Sequence, residues 1–416
     1  MSHPGSPPVS WRTTLEALAA TERGSASEGE RLAARWIAER LRELGCRVQV
    51  EEEPAHGGYW WPVALANVIA AAGGIAVRRR PRGPIRWLGF AAAGFAAAAL
   101  WDDLGHGDRW FRRALLPHRT TWNVVAEMGE PEAEQTVALV AHHDAAHSGL
   151  VFHPALGRIG PKLFPRMHER ADRTLPVLYL VWLGPVLTAV GAMLARRGLL
   201  GAGVKLSAGA TLAMLDIARQ PVVPGANDNL SAVGVVMAVA ERLREKPLEG
   251  LRVLLISTGS EESFSEGMQG FGRRHFAEMD PARTEFICLE CLGGANLIVL
   301  EGEGMLRMRD YPQHMRDGLA EAADATGVRV GRGLRTVAAT DAIIALRAGY
   351  PVVTLASTED TKLPLNYHWP SDRPEALHWD TIEAAIATCE SFLRRRAAAA
   401  SSQARGAPAG AAAARG

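Results

Sequence analysis

The sequence predicts an α/β protein interrupted by two hydrophobic helical hairpins, on three observations. Short β-rich runs alternate with amphipathic helical patterns, long stretches carry almost no charge, and histidine or acidic residues recur where the β-rich runs end. The chain has 416 residues, enough to bury a large core without disulfides. Lys+Arg is 46 against Asp+Glu 45, a formal net charge of +1, so no global field exists to hold nucleic acid and no nucleic-acid partner is expected. Four cysteines, Cys46, Cys288, Cys291 and Cys389, are few for this length and fit a reduced compartment or a fold independent of disulfides.

The first residues, MSHPGSPPVSWRTT, contain no apolar core and no small-residue cleavage site, so no secretory signal peptide is expected. From Trp11 to Gly45 the pattern is helical. Leu32, Trp36, Ile37 and Leu41 recur at helical spacing, and Ser27 stands three residues before Glu30 as a capping box. CRVQVEEE then reads as a strand. Trp60 to Val77 and Trp87 to Trp101 are uncharged runs joined by RRRPRGPIR, which form the first hairpin. The arginine-rich joint reads as a loop at a membrane surface rather than a nucleic-acid patch. Leu175 to Ala195 is 21 residues without charge, and with Gly198 to Leu215 it forms the second hairpin. Since a span needs about 20 apolar residues, the Leu175 run is expected to be the one comfortable span of the four.

WNVVAEM, TVALVA, LRVLLIST, EFICLE, NLIVLE and PVVTLA are the remaining strands. Five clusters able to do chemistry sit at or just beyond their ends or in neighbouring turns, where open α/β sheets place ligands. TVALVAHHDAAHSG runs into His142 and Asp144, a histidine with a carboxylate near enough to hold its ring. PGANDNLS offers Asp228 at a helix start, where a carboxylate is ordinarily an N-cap. LRVLLISTGSEES delivers adjacent Glu261 and Glu262, which repel unless a metal or shared proton neutralises one. EFICLECLGG buries Glu290 among apolar residues, where it needs a partner. PLNYHWPSD places Tyr367 and His368 in a proline-bounded loop. The C-x-x-C of CLEC is read as plain core or as support for the site, not as a redox pair.

Together these residues form a donor set for two divalent ions of the zinc type. The order and local context, above all NDN, GSEE, NYHWPSD and TDAIIALRAGYP, resemble the co-catalytic two-zinc exopeptidases of the bacterial leucyl aminopeptidase and aminopeptidase Y type, a family that includes glutamate carboxypeptidases and glutaminyl cyclases. The resemblance covers about residues 10 to 55 and 120 to 395. It implies a three-layer α/β/α fold with a central mixed sheet and two Zn2+ ions. His142 and Glu290 would bind the first ion, Glu262 and His368 the second, and Asp228 would bridge both. Glu261 would be the general base, Asp144 the carboxylate that orients His142, and Tyr367 a donor to the developing oxyanion. Asp341 falls where the family has a Ser-Asp-His string but this chain reads TDA, so it is expected to support the site rather than bind. Two departures stand out: Glu290 replaces the family's usual aspartate, and 85 residues separate His142 from Asp228.

The resulting division is 1–59, 118–150 and 218–397 for the catalytic domain, 60–101 for the first hairpin, 151–217 for an insertion with the second, and 398–416 for a disordered tail. The function expected is a zinc-dependent exopeptidase acting on a peptide or small amide. The alternatives are a glutaminyl-cyclase-like acyltransferase, or an inactive membrane-bound binding module. Trp60, Trp61, Trp87 and Trp101 bracket the first hairpin as interfacial anchors, so contact with membrane lipid is expected. The hairpin tips carry seven basic residues and the flanks on the catalytic side nine, which favours a multi-pass protein with its catalytic domain in the cytoplasm.

Overall fold

A computed structural model describes residues 10–406. Its centre is a seven-stranded mixed sheet built from β1 (Arg47–Ala55), β2 (Arg119–Gly129), β3 (Thr136–His142), β4 (Arg252–Thr258), β5 (Thr284–Glu290), β6 (Asn296–Val299) and β7 (Val352–Thr358). The spatial order is β1-β2-β4-β3-β5-β7-β6. The four central strands β4, β3, β5 and β7 run parallel, and β1, β2 and β6 pair antiparallel at the two edges. The sequence follows from this placement. β3, TVALVAH, is buried at every position, the continuous apolar run expected of a parallel strand covered on both faces. Edge strand β1 instead carries Glu51, Glu52 and Glu53. Helices flank the sheet, giving the mixed α/β architecture expected.

The helical stretch from Trp11 to Gly45 is two helices, α1 (Trp11–Ala19) and α2 (Glu28–Glu43). The Ser27 hydroxyl accepts the Glu30 N–H at 3.2 Å, but the Glu30 carboxylate turns away from Ser27 and accepts from the Ala26 N–H and from Ser260. Only half of the expected capping box forms, because Glu30 is recruited to the loop beyond β4. Leu32 is 49% exposed and is not on the buried face, which Ala33, Ala34, Ile37, Ala38 and Leu41 make. The tail expected from residue 398 also begins in helix, since the last helix runs Trp379–Gly406; residues 407–416 lie outside those described.

The hairpins leave the sheet between β1 and β2 and between β3 and β4. Their helices are α3 (Trp60–Arg79), α4 (Pro84–Leu104), α5 (Val177–Met193) and α6 (Arg197–Ile217). They pack into one four-helix bundle, α3 touching the other three. At the tips, Arg86 donates to the Ala192 carbonyl at 2.9 Å, tying one hairpin to the end of the other. The expectation about span length reverses. Three helices, α3, α4 and α6, are long and apolar enough to cross a membrane, whereas α5 has 17 residues. Pro176 delays its start, and the chain turns at Leu194–Arg196 before the uncharged run is used up.

Candidate metal centre

Four of the five clusters converge from the C-terminal ends of β3, β4 and β5 and from the loop before α7 (Ser231–Glu245), and the fifth arrives from the loop after β7. Asp228 does not cap α7. The backbone leaves helical geometry at Asp228, with φ −110° and ψ 86°, and the side chain turns toward two histidines. His142 Nε2 lies 3.3 Å from Asp228 Oδ1, and His368 Nε2 lies 3.2 Å from Asp228 Oδ2. On the His142 side, Glu290 Oε1 approaches Nε2 to 3.6 Å. On the His368 side, Glu262 Oε2 approaches Nε2 to 3.1 Å. The structure therefore brings together two histidine–carboxylate groups that share Asp228.

Glu261 points to the same space, its carboxylate 3.9 Å from His142 Nε2. Asp144, fully buried, does several jobs at once. Its Oδ1 faces His142 Nδ1 at 3.3 Å and accepts the Glu261 N–H at 2.9 Å, while Oδ2 accepts the Glu262 N–H and the Ser25 hydroxyl. It orients a histidine and also fixes the backbone that carries both glutamates. The Tyr367 ring stacks on His368 with centroids 3.9 Å apart. Asp341 Oδ2 accepts the Thr258 hydroxyl, and its Oδ1 is buried without a hydrogen-bond partner. The long segment after His142 reaches the site, where Phe152 packs edge-on against His368 with centroids 4.5 Å apart.

Six carboxylates, Asp144, Asp228, Glu261, Glu262, Glu290 and Asp341, crowd a space mostly removed from water. Burial, with Glu290, Glu262 and Asp341 adding repulsion against the field of His142, pushes the Glu261 carboxyl well above its ordinary value. Burial likewise pushes Glu262 and Asp341 up to about 7 each. Burial alone would depress both histidines, yet the carboxylates win. Glu290 leads in raising His142, and Glu262 leads in raising His368 to about 10. Such a site asks for cations. Three donor atoms, His142 Nε2, Asp228 Oδ2 and Glu262 Oε1, are buried with no hydrogen-bond partner among the described residues, and nitrogen and oxygen donors of this kind suit zinc. The residues present fit divalent ions of the zinc type.

Several further residues shape the site. Asp372 accepts the N–H groups of Asn227 and Asp228 at 2.7 and 3.1 Å and so holds the Asp228 loop. Asn227 Oδ1 accepts the Gly293 N–H, and Asn229 Oδ1 accepts the Cys291 N–H, which pins that loop to the end of β5. Arg23, entirely buried, donates to the carbonyls of Leu18, His143, Pro224 and Gly225. Asp372 and the two asparagines lie within the NYHWPSD and NDN strings already noted. Arg23 is a lone arginine beyond α1 that only long-range contacts reveal. The CLEC pair divides, because β5 ends at Glu290. Cys288 is in the sheet core, whereas Cys291 sits beyond the strand beside the carboxylates. All four cysteines are free and buried.

Residues 211–393 match the model of peptidase family M28. His142 and Asp144 precede that match, so their membership of the site rests on geometry. No curated protein sequence matches the chain. Among solved structures, the fold is similar to a glutaminyl cyclase from Bacteroides thetaiotaomicron, with TM-score 0.53 and 14% identity over 94% of this chain and 99% of that one. It is similar to an aminopeptidase from Aneurinibacillus sp. strain AM-1, with TM-score 0.53 and 13% identity over 92% of each chain. It also resembles a zinc aminopeptidase from Bacillus subtilis, with TM-score 0.52 and 14% identity over 93% of this chain and 94% of that one. The chain thus has the mixed α/β fold seen in zinc aminopeptidases and glutaminyl cyclases, and its residues 211–393 are similar to peptidase family M28.

Proposed function

We propose that the protein is a two-metal exopeptidase, most simply an aminopeptidase. The observation that carries this reading is Asp228 set between His142 and His368, with Glu290 on one side and Glu262 on the other. His142, Asp228 and Glu290 would hold one ion, and His368, Asp228 and Glu262 the other. When bound, such a pair supplies Lewis acidity and a water of lowered pKa. Glu261 belongs to neither group and stands free to take the proton of the attacking water and pass it to the leaving amine. Tyr367, stacked on His368, offers its hydroxyl to the oxygen that gains charge. Asp144 keeps His142 in the orientation that presents Nε2 to the centre. A glutaminyl-cyclase-like transfer would need one ion, and the presence of donors on both sides of Asp228 favours the hydrolase.

Treatment with a chelator is expected to abolish release of an amino-terminal residue from peptide and aminoacyl-amide substrates, and added zinc or cobalt to restore it. Hydrolysis that survives removal of all metal overturns the reading.

The four-helix bundle supports a membrane location. Its helices expose Leu65, Val68, Ile75, Trp87, Leu88, Phe95, Tyr179, Leu180 and Leu212, a concentration of large apolar side chains that fits contact with lipid. Lipid covers these side chains, and the catalytic domain lies in the cytoplasm. Recovery in the soluble fraction after detergent-free lysis rules out insertion, and protease protection in sealed vesicles tests the side.

A further inference from the structure

We infer that the thiolate of Cys291 is an additional metal ligand on the His142–Glu290 side of the centre, an assignment that rests on the two-metal reading above. Cys291 is the first residue past β5 and 1% exposed. Its φ of +51° lies in the left-handed region that a residue with a Cβ seldom adopts. Two contacts hold it there: its N–H donates to Asn229 Oδ1 at 2.9 Å, and its carbonyl accepts the Ser357 hydroxyl. The turn aims the side chain out of the sheet and into the site. Sγ lies 3.3 Å from Glu290 Oε1, and donor atoms of Asp228, Glu290 and Cys291 all lie within 4.8 Å of one another.

An independent observation points to the ligand. His142 Nε2 is buried, has no hydrogen-bond partner, and faces Asp228 at 3.3 Å and Glu290 at 3.6 Å. Donors around a tetrahedral zinc, at bond lengths of roughly 2.0 to 2.3 Å, stand about 3.3 to 3.8 Å apart. The contacts 3.3, 3.6 and 3.3 Å, for His142–Asp228, His142–Glu290 and Cys291–Glu290, match that spacing.

Coordination replaces the S–H bond by a sulfur–metal bond and releases the proton to solvent. A sulfur donor also changes selectivity. A site of nitrogen and oxygen alone accepts manganese or magnesium, whereas a thiolate biases this end toward zinc, cobalt and cadmium.

The full chain, purified in detergent and stripped of metal, is titrated with cobalt(II). Visible ligand-field bands report binding, and a near-ultraviolet thiolate-to-cobalt band reports sulfur. Cys291→Ser is expected to lose the near-ultraviolet band, keep the visible ones, and bind the ion at that end at least about tenfold more weakly. Cys288→Ser, altered in the strand itself, is expected to keep both. X-ray absorption on the unmodified zinc-loaded protein needs no variant and is expected to require one sulfur at about 2.3 Å. Cobalt bound with no sulfur contribution overturns the Cys291 assignment and leaves the two-metal reading standing. Failure to bind cobalt overturns both.

Discussion

The sheet domain and the hairpin bundle bury different mixtures of residue. Around the sheet the interior is Val, Ile and Leu, with Leu139, Leu255, Ile256, Leu289 and Leu355 all out of solvent. In the bundle the interior is dominated by small residues, among them Ala66, Ala70, Ala93, Ala96 and Ala189; Leu100, Leu104, Met214 and Ile217 are also inside, but many bulky residues face out. Trp87 is 56% exposed, Leu88 66% and Leu212 68%. Water drives large apolar side chains inward. Lipid does not, and there close approach of backbones through Gly, Ala, Ser and Thr holds helices together. Gly184 and Gly203 show the device: a methyl group on Gly203 would meet the Thr188 amide nitrogen at 2.6 Å, so α5 and α6 touch nearly backbone to backbone. On the proposed membrane location, one chain would follow two packing rules, which meet where Phe264, next to Glu261 and Glu262, packs into the base of the bundle.

That contrast can be broken or sharpened in order of expected effect. The proposed chemistry belongs to the sheet side alone, so Glu261→Gln is expected to cut kcat by roughly 10²- to 10⁴-fold while metal content stays unchanged. Loss of metal instead would exchange the roles given to Glu261 and Glu262. Leu255→Ala, in the sheet core, is expected to cost about 2–5 kcal/mol in denaturant unfolding.

The junction comes next. Glu266 accepts the His56 and Gly57 N–H groups just before α3 and faces Arg109 and Arg112 just after α4, so it clasps the stem of the first hairpin. Burial opposes its charge, but the His56 contact and the two arginines win and hold its carboxyl down at about 2. A depressed carboxyl lends stability that is complete above its unfolded value near 4.5 and is lost as pH falls through the folded one. Stability is therefore expected to drop by about 3 kcal/mol between those values, at 1.36 kcal/mol per unit. Glu266→Gln should flatten that part of the unfolding-versus-pH curve; an unchanged slope removes Glu266 from the junction.

Within the bundle, Gly203→Leu should lower thermal stability in detergent by about 1–3 kcal/mol through overpacking. Leu212→Ala, on the outer face, should change it by no more than about 0.5 kcal/mol. A large loss at Leu212 and none at Gly203 would mean that the bundle packs as a water-soluble cap.

Much of this was legible in the sequence wherever the signal is local. Continuous apolar runs marked the central strands, and uncharged runs marked the hairpins. His142, Glu262 and Glu290 were recognisable because each stands at or just beyond the end of such a run, and Asp228 and His368 by the NDN and NYHWPSD strings around them. Where local pattern and tertiary contact compete, the reading slipped. Leu32 has the right helical spacing but the wrong face. Glu30 has the spacing of a capping box, yet it is drawn to Ser260, 230 residues away. Leu175 to Ala195 counts as the longest uncharged run but yields the shortest of the four hairpin helices, because proline and a turn consume its ends.

By itself the sequence determined which segments pair into a sheet, which leave it as apolar hairpins, and which side chains are available to bind metal. These depend on residue type and on periods of 2 and 3.6, which neighbours along the chain impose. Only the tertiary structure decided that Asp228 faces two histidines instead of capping a helix, that Arg23 and Asp372 brace its loop, and that Cys291 turns out of the strand into the site. Each of those outcomes is set by hydrogen-bond partners that the chain brings together from well over fifty residues away. A buried polar group must find its partner wherever the fold supplies one, and no local pattern records where that is.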